Sequence, residues 1–206
     1  MTSPITSNAT PRFSTAIPYS APLAARPVNR HSLAVRLMHW TTVLAMLAAT
    51  AAALLRDALE SPALRSLLMD IHRQAGLWVL LALVLRLAVR VGRGMADHAG
   101  ATSPLLRITG LMAHLALYAM LLALPVLGWA VCNAHEVGVK LLGVIALPAL
   151  VAPDADLADN LTDWHVIAAW AMLALVVLHV AAALWHHFIR RDGVLLAMLP
   201  NSRLRD

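Results

Sequence analysis

The segment DWHVIAAWAMLALVVLHVAAALWHH, residues 163–187, sets four histidines in a stretch that otherwise reads as buried hydrocarbon. Ionisable groups in such surroundings are costly, and imidazole is the commonest metal ligand among side chains, so metal or proton chemistry is the first expectation. The 14-residue step from His165 to His179 takes a helix through nearly four full turns. Both side chains then lie on one face, about 21 Å apart. A single small ion needs ligands about 2 Å from itself, so the two histidines serve different centres.

Two large cofactors stacked across a bilayer could use both. Haem suits this spacing, because six-coordinate iron accepts one imidazole from each face of the porphyrin, each supplied by a different helix of a bundle. Partner histidines are present at matching depths. His72, near the start of the second apolar run, matches His165; His39, near the start of the first, and His114, about two turns into the third, both match His179. Periodicity leaves His39 and His114 open as alternatives. Cys132 is the single cysteine, which excludes an internal disulfide, a Cys-x-x-Cys pair and covalent haem attachment through C-x-x-C-H. No G-x-G-x-x-G or Walker-type loop is present, so a redox cofactor belongs among the helices and not in a nucleotide domain.

The elements that must position these residues are legible from composition. The 206 residues are 60% hydrophobic and 13% charged, with mean hydropathy +0.72, far too apolar for a soluble domain. Runs at 33–55, 71–91, 105–131 and 161–189 are each long enough to cross about 30 Å of hydrocarbon. They are continuous and rich in Leu and Ala, unlike the alternating segments of a barrel. The expected fold is an all-α membrane protein, a bundle of four transmembrane helices with two haem b groups between them. Residues 1–30, rich in Ser, Thr, Ala and Pro, read as a disordered tail, 31–200 as the membrane domain, and 201–206 as a C-terminal tail.

The net charge of +5 is a membrane signal and not a nucleic-acid one, because position decides its meaning. Arg12, Arg26, Arg30 and Arg36, then Arg86, Arg90, Arg93 and Arg107, then Arg190, Arg191, Arg203 and Arg205 fall on one side of the bundle. The other side carries Arg56, Arg65, Arg73 and Lys140 among several acids. The positive-inside rule therefore places both termini in the cytoplasm of a multi-pass inner-membrane protein. In the third connection, GVKLLGVIALPALVAPDAD is broken by Gly143, Pro148 and Pro153, and an interfacial or re-entrant piece is expected. Pro125 and Gly128 sit inside the third run as LPVLGW, where a kink is tolerable.

Other residues carry a functional and a plain reading side by side. Gly76, one turn after His72, would admit a porphyrin close to the backbone or would simply pack helices. Arg36, Arg73 and Arg107 would pair with haem propionates or snorkel at the interface. Trp40, Trp129, Trp164 and Trp185 fit aromatic belts. His186 and His187 fall at the cytoplasmic interface beside Arg190, and His31, His98 and His135 in the tail or connections.

LMHW on the first helix, IHRQAG opening the second, HLALYAMLLALPVLG on the third, and DWH followed by LHVAAALWHH and LLAMLP together resemble bacterial cytochrome b561, over about residues 30–200. The resemblance implies a four-helix, two-haem-b membrane protein that transfers electrons with ubiquinone as one partner, and in some members oxidises superoxide at the periplasmic face. It further implies His39 and His179 as ligands of the cytoplasmic-side haem, and His72 and His165 as ligands of the periplasmic-side haem. Arg65, Arg73 and Lys140 are the candidate positive surface for an anionic donor. The long N-terminal tail departs from the compact family pattern. Two other classes stand beside this reading: a membrane haem-b subunit linking a dehydrogenase or hydrogenase to quinone through a redox protein partner, and a non-redox transporter with proton-relay histidines.

Overall fold

The computed structural model describes residues 32–92 and 104–199. Four long helices account for most of them: α1 Leu33–Arg56, α2 Pro62–Gly92, α3 Pro104–Ala134 and α4 Ala155–Trp185. All four are long and apolar enough to cross a membrane. The tails expected at 1–30 and 201–206 lie outside the described residues, as do His31 and His98.

Local chemistry sets the helix boundaries. Pro62 opens α2, where its missing N–H costs nothing. Asp154 caps α4, its carboxylate accepting from the Leu157 N–H at 2.8 Å. Both helices begin well before the apolar runs at 71 and 161, so their first turns project beyond the hydrocarbon. α3 continues through Pro125. α4 ends in a single π-turn, His186–Arg190, closed by Arg191 in the left-handed region at φ 51°.

The third connection is a hairpin and not a spanning piece. Strand β1 Lys140–Leu141 pairs antiparallel with β2 Ile145–Ala146. Leu142 and Gly143 both take positive φ, 53° and 74°, as a type I′ turn requires, and glycine takes the second position without strain. Gln74 of α2 holds this hairpin with both ends of its amide: Nε2 donates to the Lys140 carbonyl at 2.8 Å, and Oε1 accepts from the Leu142 N–H at 3.0 Å.

Large apolar side chains face outward along every helix, among them Leu44, Leu111, Ile167 and Leu178. An aqueous surface would not tolerate that much exposed hydrocarbon, and a bilayer makes it ordinary. Packing inside is uneven. α1 lies along α2 and α3 along α4, α2 meets α3 less extensively, and α4 otherwise scarcely approaches α1 or α2. What joins all four is one apolar layer of Ala45, Val79, Leu83, Leu121 and Met172. Met172 stands midway along α4 between His165 and His179, so this layer divides the bundle into two levels.

Candidate functional site

The two levels above and below that layer each hold a histidine pair drawn from α4 and another helix. At the level nearer the hairpin, His72 and His165 each lie ten residues into their helices, and their ring centroids are 6.0 Å apart with planes at 75°. At the level nearer the termini, His39 of α1 and His179 of α4 have centroids 6.5 Å apart and planes at 57°. All four residues are partly buried. These contacts also orient the bundle: α1 and α3 run antiparallel to α4, and α2 runs parallel to it.

Hydrogen bonding fixes the face that one of the rings presents. His72 Nδ1 donates to the Ala49 carbonyl of α1 at 2.9 Å. That commits Nδ1 and leaves Nε2 with a free lone pair, the arrangement typical of a metal-bound histidine whose second nitrogen is tied to backbone. His165 Nδ1 is buried without a well-formed hydrogen bond; its ring lies against α3 at Gly128 and interacts with the backbone of Leu124 one turn earlier.

A third ring stands near His179. His114 of α3 has its centroid 5.5 Å from that of His179, with planes at 86°. It is exposed, and its Nδ1 donates to the Gly110 carbonyl one turn earlier at 2.7 Å. The structure therefore brings both sequence candidates for the lower pair to His179. They differ in the packing behind them: α3 packs closely along α4, whereas α1 and α4 approach each other less closely.

The donor set suits a haem better than a bare ion. Among the described residues, no three His, Cys, Asp or Glu side chains converge as a metal centre would need. Imidazole nitrogens about 2 Å from a shared iron, on opposite faces, put their ring centroids about 6 Å apart, which both the His72–His165 and His39–His179 pairs satisfy. The looser packing of α4 on α1 and α2 than on α3 suits a flat macrocycle between those helices better than one between α3 and α4. Buried N–H donors without acceptors accompany the pairs: Arg36 Nε one turn before His39, Arg73 Nε beside His72, and Trp129 Nε1 beside Gly128. Anionic carboxylates such as propionates would satisfy them. Arg107 is exposed at the start of α3. A Cβ at Gly76 would meet no protein atom within 4 Å, so the space next to it is open.

At the hairpin end, Asp70, Arg73, Gln74, Gly138, Lys140 and Leu142 are among the residues lining a hollow of about 600 Å³. Arg73 is paired with Asp70 at 2.9 Å, while Lys140 is exposed. At the opposite end, the partly buried His186 Nδ1 lies 2.6 Å from Asp192 Oδ2, and Arg190 Nε lies 3.6 Å from the same oxygen. The segment after α4 folds back onto α1, where Trp40 Nε1 donates to the Met198 carbonyl at 2.9 Å. His187 stacks edge-on against Phe188, and His135 is exposed with Nδ1 donating to the Val131 carbonyl at 3.0 Å. The Gln74 brace, the Gly128 contact and the Trp40 tie escape a reading of the sequence, because each depends on a facing segment distant along the chain.

Comparison with known proteins agrees with this architecture. A family model described as prokaryotic cytochrome b561 matches residues 30–201. "Cytochrome b561 homolog 2" of Escherichia coli (strain K12) is 32% identical over 133 residues, 65% of this chain and 71% of the relative. "Cytochrome b561 homolog 1" of the same organism is 30% identical over 182 residues, 85% of this chain and 100% of the relative. "Probable superoxide oxidase CybB" of Yersinia pestis is 28% identical over 133 residues, 65% of this chain and 75% of the relative.

Proposed function

Because the chain belongs to the prokaryotic cytochrome b561 family, whose members are haem-b electron-transfer proteins of the bacterial inner membrane, we propose that it carries electrons across that membrane through two bis-histidine b haems and exchanges them with ubiquinone. The observation that carries this reading is the pairing of His72 with His165 and of His39 with His179, one pair on each side of the apolar layer. The packing of α3 directly on α4 favours His39 over His114 as the partner of His179, since a macrocycle needs separated helices.

Haem bound at these pairs supplies a one-electron iron couple. The protein's residues do the rest. His39, His72, His165 and His179 would hold the two irons, two imidazoles to each, which suits outer-sphere electron transfer and not oxygen binding at iron. Ala49 keeps the His72 ring in one tautomer and one orientation. Ala45, Val79, Leu83, Leu121 and Met172 keep water from the space between the levels. Arg36, Arg73 and Trp129 would offer N–H groups to the propionates.

Superoxide is the periplasmic donor we favour, supported by the name of the Yersinia relative and by Arg73 and Lys140 at the hollow near the His72–His165 level. Two superoxide ions each give up one electron and leave as O₂, and the two electrons with two protons convert one ubiquinone to ubiquinol. Both termini lie in the cytoplasm, so the hairpin end faces the periplasm.

The deciding experiment is a reduced-minus-oxidised spectrum with haem quantified per chain, for the parent, His165→Ala and His179→Ala. About two haems in the parent, a different one missing from each variant, is the expected result. A chain purified without haem from haem-replete cells would overturn the proposal.

A further inference from the structure

α3 places a glycine where any other residue would press on a ligand ring. A Cβ built at Gly128 would stand 3.2 Å from His165 Cε1 and 3.5 Å from His165 Nδ1, with no other atom within 4 Å. The first distance is closer than a relaxed Cβ contact allows, so the imidazole would have to give by a few tenths of an ångström. The Cε1–Nδ1 edge of the ring therefore lies on the backbone of α3 at Gly128, and Nε2 is not among the atoms within 4 Å of that position. Cβ atoms built at Gly76 and Gly110 meet nothing within 4 Å. Backbone conformation does not call for a glycine at 128 either, since it sits within α3 and is not among the positive-φ residues. An unstrained helical glycine lowers helix stability relative to alanine, so the observed contact supplies a reason for its presence that helix formation does not.

We infer that Gly128 is the positioning residue for His165: the bare backbone of α3 forms a seat for the Cε1–Nδ1 edge, fixing the angle and depth at which Nε2 reaches the iron. This rests on His165 being an axial ligand. The ring is confined on one side by α3 and on the other by its bond to iron, so it has no slack in which to absorb an added methyl group. A methyl at 128 is thus expressed as a tilt of the His165 ring or a longer bond to iron. Either change alters the electronic structure of that haem alone, because His39 and His179 lie on the far side of the apolar layer.

The test uses the full chain in detergent or nanodiscs, with Gly128→Ala, Gly128→Val and Gly110→Ala, and with His165→Ala to mark the haem concerned. Haem per chain, the low-spin ferric EPR signal and the midpoint potentials are measured; the EPR signal responds to the mutual tilt of the axial imidazoles. The expected result for Gly128→Ala is a shift of the EPR signal and potential of the one haem that His165→Ala removes, with the other haem unmoved. Gly128→Val is expected to lose that haem, and Gly110→Ala to behave as the parent. If Gly128→Val fails to accumulate, Gly128→Ala decides. Unchanged signals in Gly128→Ala, or equal shifts of both haems, would overturn the positioning role while leaving the ligand assignment standing. Retention of both haems by His165→Ala would instead remove the ligand assignment, and the positioning role with it.

Discussion

His39 and His179 face one another from α1 and α4 with ring centroids 6.5 Å apart, while His114 approaches the same His179 more closely, at 5.5 Å, from the helix packed directly on α4. Proximity alone would favour His114. The space a macrocycle needs favours His39. Substituting His39→Ala is expected to lower bound haem from about two per chain to about one, with His114→Ala keeping both. Pyridine haemochrome quantification checks this, and the opposite pattern would move the ligand to α3.

The charge asymmetry between the two ends of the bundle leads to a separate expectation. Alkaline phosphatase fused after Asp156, at the N-terminal end of α4, is expected to be active in whole cells, and a fusion at the C-terminus inactive. Reversed activities would invert the orientation and move the Lys140 hollow to the cytoplasm.

Lys140 and Arg73 line the same hollow, yet Arg73 is paired with Asp70 and Lys140 is exposed. Lys140 therefore contributes more of the field that an approaching anion meets. Lys140→Gln is expected to slow superoxide oxidation about threefold at low ionic strength, without loss of haem. Stopped-flow rates should converge with those of the parent near 1 M salt, where screening acts over about 3 Å. A rate unchanged at low salt would remove Lys140 from the entry surface.

Trp40 and Met198 join the first helix to the last described segment. Trp40→Phe keeps an aromatic ring but removes the N–H that donates to the Met198 carbonyl, and is expected to weaken docking of that segment by about 1 kcal/mol. Faster amide exchange across residues 193–199, with α1 and α4 unaffected, is the measurable sign.

Much of this arrangement is legible in the sequence, and the reasons differ by element. Long apolar runs declare their helices because a bilayer permits little else, and the His165–His179 spacing declares a shared face because 3.6-residue periodicity is rigid over so short a length. The start of α2 is less legible. PALRSLLMD mixes Arg65 and Asp70 with leucines, so hydropathy places the beginning at Ile71 although the helix starts at Pro62. The third connection reads as an interfacial piece; its hairpin is braced at Lys140 and Leu142 by Gln74, which lies far away in sequence. LPVLG suggests a kink at Pro125, whereas the consequence of Gly128 depends on which ring the neighbouring helix lays against it.

The sparse seam between α4 and the α1–α2 pair has a bearing on assembly. The α1–α2 and α3–α4 pairs are joined to each other by the α2–α3 contact and the shared apolar layer, with little direct packing of α4 on α1 or α2. Haem held by the His39–His179 and His72–His165 pairs would bridge that seam, so its binding energy would also be folding energy and would stabilise the bundle by mass action. In a cell short of haem, the seam between α4 and the α1–α2 pair would be the first part of the bundle to loosen, since little else packs across it.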